Sequence, residues 1–135
     1  MEKVIIETAR TENGYCGACE LLPGWIVTCT GDFDAFKKEV ADSIRFYVEC
    51  ARKDNESYPP LFDGTYEIVY KFDVRSLLLY YQGIFSFSAL QTITGINQKQ
   101  LAHYAAGRCK PRRAQAEKIA NGLHALAKDL MQVTV

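Results

Sequence analysis

Residues 84–113 read IFSFSALQTITGINQKQLAHYAAGRCKPRR, and their punctuation decides the fold of the C-terminal half. Ser86 is suited to cap a helix, with Phe85 at N′ and Leu90 at N4, the placement of a hydrophobic staple. Gly95 follows the last apolar residue and suits a left-handed cap. The spacing therefore predicts a brief helix from Phe87 to Thr94. The device then repeats, with Asn97 as N-cap, Gln100 at N3, and Ile96 at N′ able to pack on Leu101 at N4. A further helix thus starts two residues after Gly95. Two short helices joined by so tight a turn must cross at a large angle, which is the geometry of a helix-turn-helix.

Helical periodicity extends outward on both sides of this pair. Upstream, Val74, Leu77, Leu78 and Tyr81 make a short amphipathic helix that Gly83 is expected to end with positive φ. Downstream, AQAEKIANGLHALAKDLMQV keeps a helical period through Ile119, Leu123, Leu126 and Leu130. Gly122 inside it costs about 1 kcal/mol relative to alanine. Met131 and Val133 lengthen the stripe, which either closes the domain's own core or forms a seam between two copies. A homodimer or higher homo-oligomer is the expectation, because two-fold symmetry is what paired DNA half-sites require.

The N-terminal half reads differently. KVIIE, YCGACELL and WIVTCT are rich in β-branched and aromatic residues, and Gly14 and Pro23-Gly24 punctuate them, so three short strands in an antiparallel meander are expected. WIVTCT places Trp25, Val27 and Cys29 on one face. From Phe33 the period becomes helical, with Phe36, Val40, Ile44, Val48 and Ala51 on one side and Asp32 as N-cap. The loop KDNESYPPLFDG follows, its Pro59-Pro60 taken to exclude helix, and TYEIVYKF alternates as a fourth strand. The expected fold class is α+β, a small antiparallel sheet with one helix in the order β-β-β-α-β, followed by an all-α helix-turn-helix domain. The division is expected between residues 1–72 and 73–135.

Charge follows the same division. The whole chain carries 16 Lys and Arg and 16 Asp and Glu. Residues 1–70 hold seven basic against thirteen acidic side chains, and residues 71–135 hold nine against three. An acidic half beside a basic half suggests two partners of opposite sign, with the basic half meeting a polyanion such as nucleic acid. No run approaches the roughly 20 apolar residues of a membrane span, and MEKVIIETAR lacks the apolar stretch of a signal peptide, so a cytoplasmic protein without a membrane partner is expected.

Several chemistries find little support. Five cysteines in a chain without an export signal favour reduced thiols over a disulfide framework. Only Cys16 and Cys19 form C-x-x-C, and the pair lies in a strand-and-turn context, without the second ligand pair of a structural zinc site or the helix start of a redox site. Neither His103 nor His124 lies in the acidic half, so no Ser-His-Asp or Cys-His arrangement can form within it. No catalytic residue, metal or cofactor is expected, and the protein is read as a non-enzyme.

The helix-turn-helix stretch resembles the lambda-repressor-like, XRE-type family: Gly95 as turn glycine, Ile96 after it, Leu101 and Tyr104 on the buried face of the recognition helix, Gly107 ending it, and Lys110-Pro111 opening the next. Gln91 stands where that family usually has a small alanine. In such a motif the first residues of the recognition helix reach base edges, so Gln98, Lys99 and Gln100 are the leading candidates, with His103 one turn on. Glutamine pairs with adenine and lysine donates to guanine, so these residue types fit direct readout. Arg108, Lys110, Arg112 and Arg113 are placed at the phosphates, where they set register and affinity.

Over nearly its full length the chain resembles a HicB-type antitoxin. The resemblance rests on VIIE, the GY turn, ELLPGWIVTCTGD leading into an amphipathic helix, the fourth strand and the appended helix-turn-helix. It implies a degraded RNase H-like N-terminal domain without nuclease activity that occludes a small HicA-type toxin, an mRNA-cleaving protein of double-stranded-RNA-binding fold. It implies also a C-terminal domain that represses the operon encoding both, on operator double-stranded DNA. The acidic half suits the basic face an RNA-cleaving toxin needs. The residues that would contact the toxin are not specified by the sequence. Two alternatives stand beside this reading: a stand-alone transcriptional regulator whose N-terminal domain senses a small ligand or thiol chemistry through Cys16 and Cys19, and an RNA-processing enzyme.

Overall fold

Alternation in EKVIIETAR makes strand β1, Glu2–Arg10, with Val4, Ile6 and Thr8 buried on one face. The computed structural model describes residues 1–135 and divides them into two compact units, Met1–Phe72 and Asp73–Val135.

In the first unit, a turn closed by Thr11 N donating to Gly14 O leads into β2, Gly14–Ala18. The expected second strand stops short, because the chain turns where Leu22 N donates to Cys19 O and Trp25 N to Leu22 O. Strand β3, Ile26–Thr30, follows, with Trp25 and Val27 buried and Cys29 half-buried on one side. Both β1–β2 and β2–β3 pair antiparallel.

Helix α1, Phe33–Lys53, is capped by the Asp32 carboxylate, which accepts from Ala35 N at 2.8 Å. Its Phe36, Val40, Ile44, Val48 and Ala51 are the buried stripe the period predicted. The four larger ones, Phe36, Val40, Ile44 and Val48, each contribute roughly 1.5–3 kcal/mol by leaving water. Asp34 in the first turn and Arg52 and Lys53 in the last complement the helix dipole. An aromatic cluster of Tyr15, Phe33, Phe36, Tyr70 and Phe72 packs at one end of the sheet, with the Phe33 and Tyr70 rings 5.1 Å apart.

Strand β4, Tyr66–Phe72, corrects the expected antiparallel sheet. It pairs parallel to β1, from Glu2 opposite Tyr66 to Thr8 opposite Phe72, and the strand order is β3-β2-β1-β4. The sheet is therefore mixed. A helix of 21 residues spans about 30 Å, enough to carry the chain back along the sheet, so the strand after it runs in the direction of the strand before it. The loop before β4 also differs from expectation: a 3-10 turn forms at Pro60–Asp63 and buries Phe62. Proline at the first position of a helical turn loses no hydrogen bond, so Pro59-Pro60 shortens the helix without excluding it.

The second unit is all helical: α2, Val74–Tyr81, α3, Phe87–Thr94, α4, Gln98–Ala105, and α5, Arg113–Met131. Asp73 caps α2 by accepting from Ser76 N at 3.1 Å. Gly83 does not end α2 as a left-handed cap; Gln82 closes it in a right-handed conformation, and Ile84 N and Phe85 N both donate to Tyr81 O. The core comprises Leu78, Leu90, Ile96, Leu101, Tyr104 and Ile119, with Phe85, Ile93 and Leu123 partly buried against it. Both residues of each expected staple thus join one cluster. Gly122 lets α5 approach α3: a Cβ there would stand 2.5 Å from Ile93 O. Past Leu123 the α5 stripe leaves this core, and Leu130, Met131 and Val133 are exposed.

Candidate nucleic-acid interface

The turn between α3 and α4 is closed by short-range hydrogen bonds. Gly95 takes φ 76°, a conformation that costs glycine nothing, and its N–H donates to Gln91 O at 2.8 Å. Buried Thr94 donates its hydroxyl to Leu90 O at 2.7 Å and accepts from Ile96 N at 3.2 Å. The first N–H groups of α4 have no partner within the helix. Asn97 Oδ1 accepts from Lys99 N at 2.8 Å, and Gln91 Oε1 accepts from Gln98 N at 2.8 Å. Gln91 is therefore a second cap, supplied across the turn by the preceding helix. The residue that departs from the XRE-type pattern has a structural task here.

With Leu101 and Tyr104 buried, α4 exposes Gln98 and Lys99 to solvent and leaves Gln100 and His103 half-exposed. Gln100 does not reach back to complete a capping box; its amide donates to Cys109 Sγ at 3.4 Å. The Arg108 guanidinium lies 3.2 Å from His103 Nδ1. Arginine only donates, so this contact puts the imidazole proton on Nε2 and leaves that N–H able to meet a base acceptor. Gln98, Lys99, Gln100 and His103 thus share one helix, with Arg108 joined to its last turn.

The other cations lie beyond α4. Arg108 and Lys110 are exposed in the connection after Gly107, which takes φ 76°. Arg112 is the N-cap residue of α5, makes no capping hydrogen bond and is exposed, whereas Arg113 is engaged with Glu117 at 3.1 Å. That exposed pair is worth at most about 1 kcal/mol, yet Glu117 offsets part of the Arg113 charge. Two cations escaped sequence reasoning. Lys118 Nζ lies 4.0 Å from where a Cβ on Gly95 would stand, and Arg75 Nε 3.4 Å from the same position on Gly107. The signal for Lys118 was its place one turn before Gly122, on the face of α5 that approaches α3. No family model, curated protein or solved structure matches this chain.

The first unit holds the shifted titrations. Asp63 is held below the usual carboxylate range by a hydrogen bond from Arg52 and then one from Tyr58, and Arg52 is correspondingly raised. Tyr58 donates to Asp63 Oδ1 at 2.7 Å and accepts from Arg52 Nε at 2.8 Å, tying the 54–65 loop to the end of α1. Burial raises the Tyr70 phenol. Cys16 sits in β2 and Cys19 in the turn after it, and all five thiols are free. No helix is long and apolar enough to cross a membrane.

Arranged in this way, the second unit can present an amide and an ammonium to base edges from one helix end, flanked by guanidinium and ammonium groups for phosphates. Asp73–Val135 carries eight Lys and Arg against three Asp and Glu, so the surrounding field attracts a polyanion.

Proposed function

We propose that this chain is a HicB-type antitoxin: its first unit neutralises a HicA-type mRNA-cleaving toxin, and its second represses the operon by binding operator DNA. The observation that carries the reading is the closed turn from Gln91 to Lys99, which holds exposed Gln98 and Lys99 at the start of a short helix, with exposed Arg108, Lys110 and Arg112 in the connection that follows it. The acidic balance of residues 1–70 supports a basic partner for the other unit.

In this reading Gln98, Lys99 and His103 meet base edges, and Arg108, Lys110 and Arg112 meet phosphates. The test is a titration of the chain and of Lys99→Ala against operator and scrambled duplexes. Loss of roughly 1–3 kcal/mol on operator, with preference relaxed at one base pair, is the expected result. Equal loss on both duplexes would remove Lys99 from base readout, and no loss on either would assign the helix pair to a protein partner. The toxin half is tested separately, by adding the chain to the toxin encoded beside it and following mRNA cleavage. Continued cleavage with the chain in excess ends the antitoxin reading and leaves the DNA-binding one standing.

A further inference from the structure

Helix α1 ends in a motif that folds the chain back along it. Asn55 takes φ 55°, a left-handed conformation that asparagine tolerates, and its N–H donates to Arg52 O at 3.2 Å. The next N–H, of Glu56, donates to Ala51 O at 2.8 Å. These two bonds satisfy carbonyls of the last turn and hold the Glu56 backbone against it, while Glu56 itself is exposed.

Beside this return lies one flank of α1. Ser43, Phe46, Tyr47 and Cys50 stand at spacings of three and four and so share it. Ser43 accepts the indole N–H of Trp25 at 2.9 Å, which fixes that ring against the flank from just before β3. Phe46, Tyr47 and Cys50, with Trp25 and Ala51, surround a shallow depression, and Glu56 is the one charged residue on its wall. Phe46 is 68% exposed, an aromatic side chain left in water. Glu56 takes part in none of the first unit's ion pairs, which join Asp34 with Lys37, Asp42 with Arg45, Asp63 with Arg52 and Glu7 with Lys71. Glu39, one turn before Ser43 on the same flank, is exposed and also stands outside them.

Aromatic faces attract a cation through the ring quadrupole, apolar walls accept the methylene stem of a long basic side chain, and a carboxylate binds its head. We propose that this notch receives an arginine or lysine side chain from the basic protein partner of the first unit, with its stem against Phe46 and Tyr47 and its head at Glu56. The inference rests on the antitoxin reading, to which it adds a point of contact for the toxin. Charge selects that occupant. Nucleic acid is repelled by Glu39 and Glu56, and a two-fold mate of this flank would bring the same carboxylates against them.

Two probes test it on the full chain: the protein encoded beside it, and an Arg-Gly repeat peptide followed through the fluorescence of Trp25, the single tryptophan. Phe46→Ala removes one wall and Glu56→Gln the charge, both at exposed positions. Glu12→Gln is the control. It removes the same charge from the turn after β1, where Gly31 N donates to Asn13 O just ahead of α1, at the end of the helix away from Glu56. The expected result is that Phe46→Ala and Glu56→Gln each weaken binding of both probes about tenfold, with Glu12→Gln within about twofold. The double variant should lose less than the product of the two, because both act on one inserted side chain.

The proposal is overturned if either variant leaves both affinities unchanged, or if Glu12→Gln weakens binding as much as Glu56→Gln, the mark of a diffuse field. A self-association of the chain that Phe46→Ala abolishes would give the notch to a second copy and overturn it as well. Toxin binding and inhibition that survive both variants intact sink this contact and leave the antitoxin reading standing. A neighbouring protein that does not bind, beside a peptide that still depends on Phe46 and Glu56, ends the antitoxin reading and keeps the notch as a site for cationic side chains.

Discussion

The side-chain oxygen of Gln91, in α3, accepts a hydrogen bond at 2.8 Å from the backbone N–H of Gln98, the first residue of α4. One helix thus caps the next across the turn, alongside the Asn97 cap on Lys99 N. Gln91→Ala leaves one orphan N–H to water and should destabilise the second unit by about 0.5–1 kcal/mol. Gln91→Glu keeps the acceptor and adds a negative charge at a helix N-terminus, so it should hold wild-type stability or exceed it. Urea denaturation followed by helical circular dichroism checks both. Equal stability of Gln91→Ala and the parent would show that water replaces this cap without cost.

Gly122→Ala opposes two effects of known size. Helix propensity alone favours alanine by about 1 kcal/mol. Against it stands a Cβ 2.5 Å from Ile93 O and 3.1 Å from Thr94 Cα, backbone atoms that cannot rotate away. Overpacking of this kind costs about 1–3 kcal/mol, so net destabilisation of up to about 2 kcal/mol is expected. A stabilised variant, read by thermal unfolding, would mean that α5 moves off α3 freely.

Arg112 and Arg113 are neighbours with different prospects on DNA. Arg112 is exposed and makes no capping hydrogen bond, while Arg113 is held by Glu117. Arg112→Ala should weaken operator and random DNA alike and lower the slope of log K against log salt by about 0.9. Arg113→Ala should lower it by less, and Glu117→Gln should strengthen binding to both duplexes. Titrations at several salt concentrations decide; a larger slope change from Arg113→Ala than from Arg112→Ala contradicts the assignment.

Asp63 predicts a pH dependence for the first unit. Its folded-state pKa lies below its unfolded value, so the contribution of the Arg52–Tyr58–Asp63 contact is present above the unfolded value, about 4, and is lost as pH falls through the folded one. Asp63→Asn should therefore flatten the acid limb of the stability curve and leave the neutral-to-basic side parallel to wild type. Trp25 is the single tryptophan and lies in this unit, so its fluorescence reports the transition. An unchanged acid limb would show that the exposed contact is silent in stability.

The local elements were legible from residue order because each depends on neighbours within one or two turns. Asp32, Ser86 and Asn97 cap the helices expected of them, the Phe36-to-Ala51 stripe is the buried face of α1, and Gly95 takes the left-handed conformation its position implied. A cap or an amphipathic stripe is written in four to seven consecutive residues. Gly83 marks the limit of that logic, since a glycine after a helix permits a left-handed cap and does not require one. The partners across the fold were settled by tertiary structure alone. TYEIVYKF announces a strand by its alternation, but its parallel place beside β1 depends on where α1 returns the chain, and Glu2 and Tyr66 are far apart in sequence. Gly122 reads as a mild helix defect until α5 packs on Ile93, and Gln91 as a misplaced polar residue until the turn brings Gln98 N beneath it. Lys118 meets Gly95 for the same reason. Periodicity specifies which face of an element is apolar, whereas the choice of what that face meets belongs to packing among segments distant in the chain.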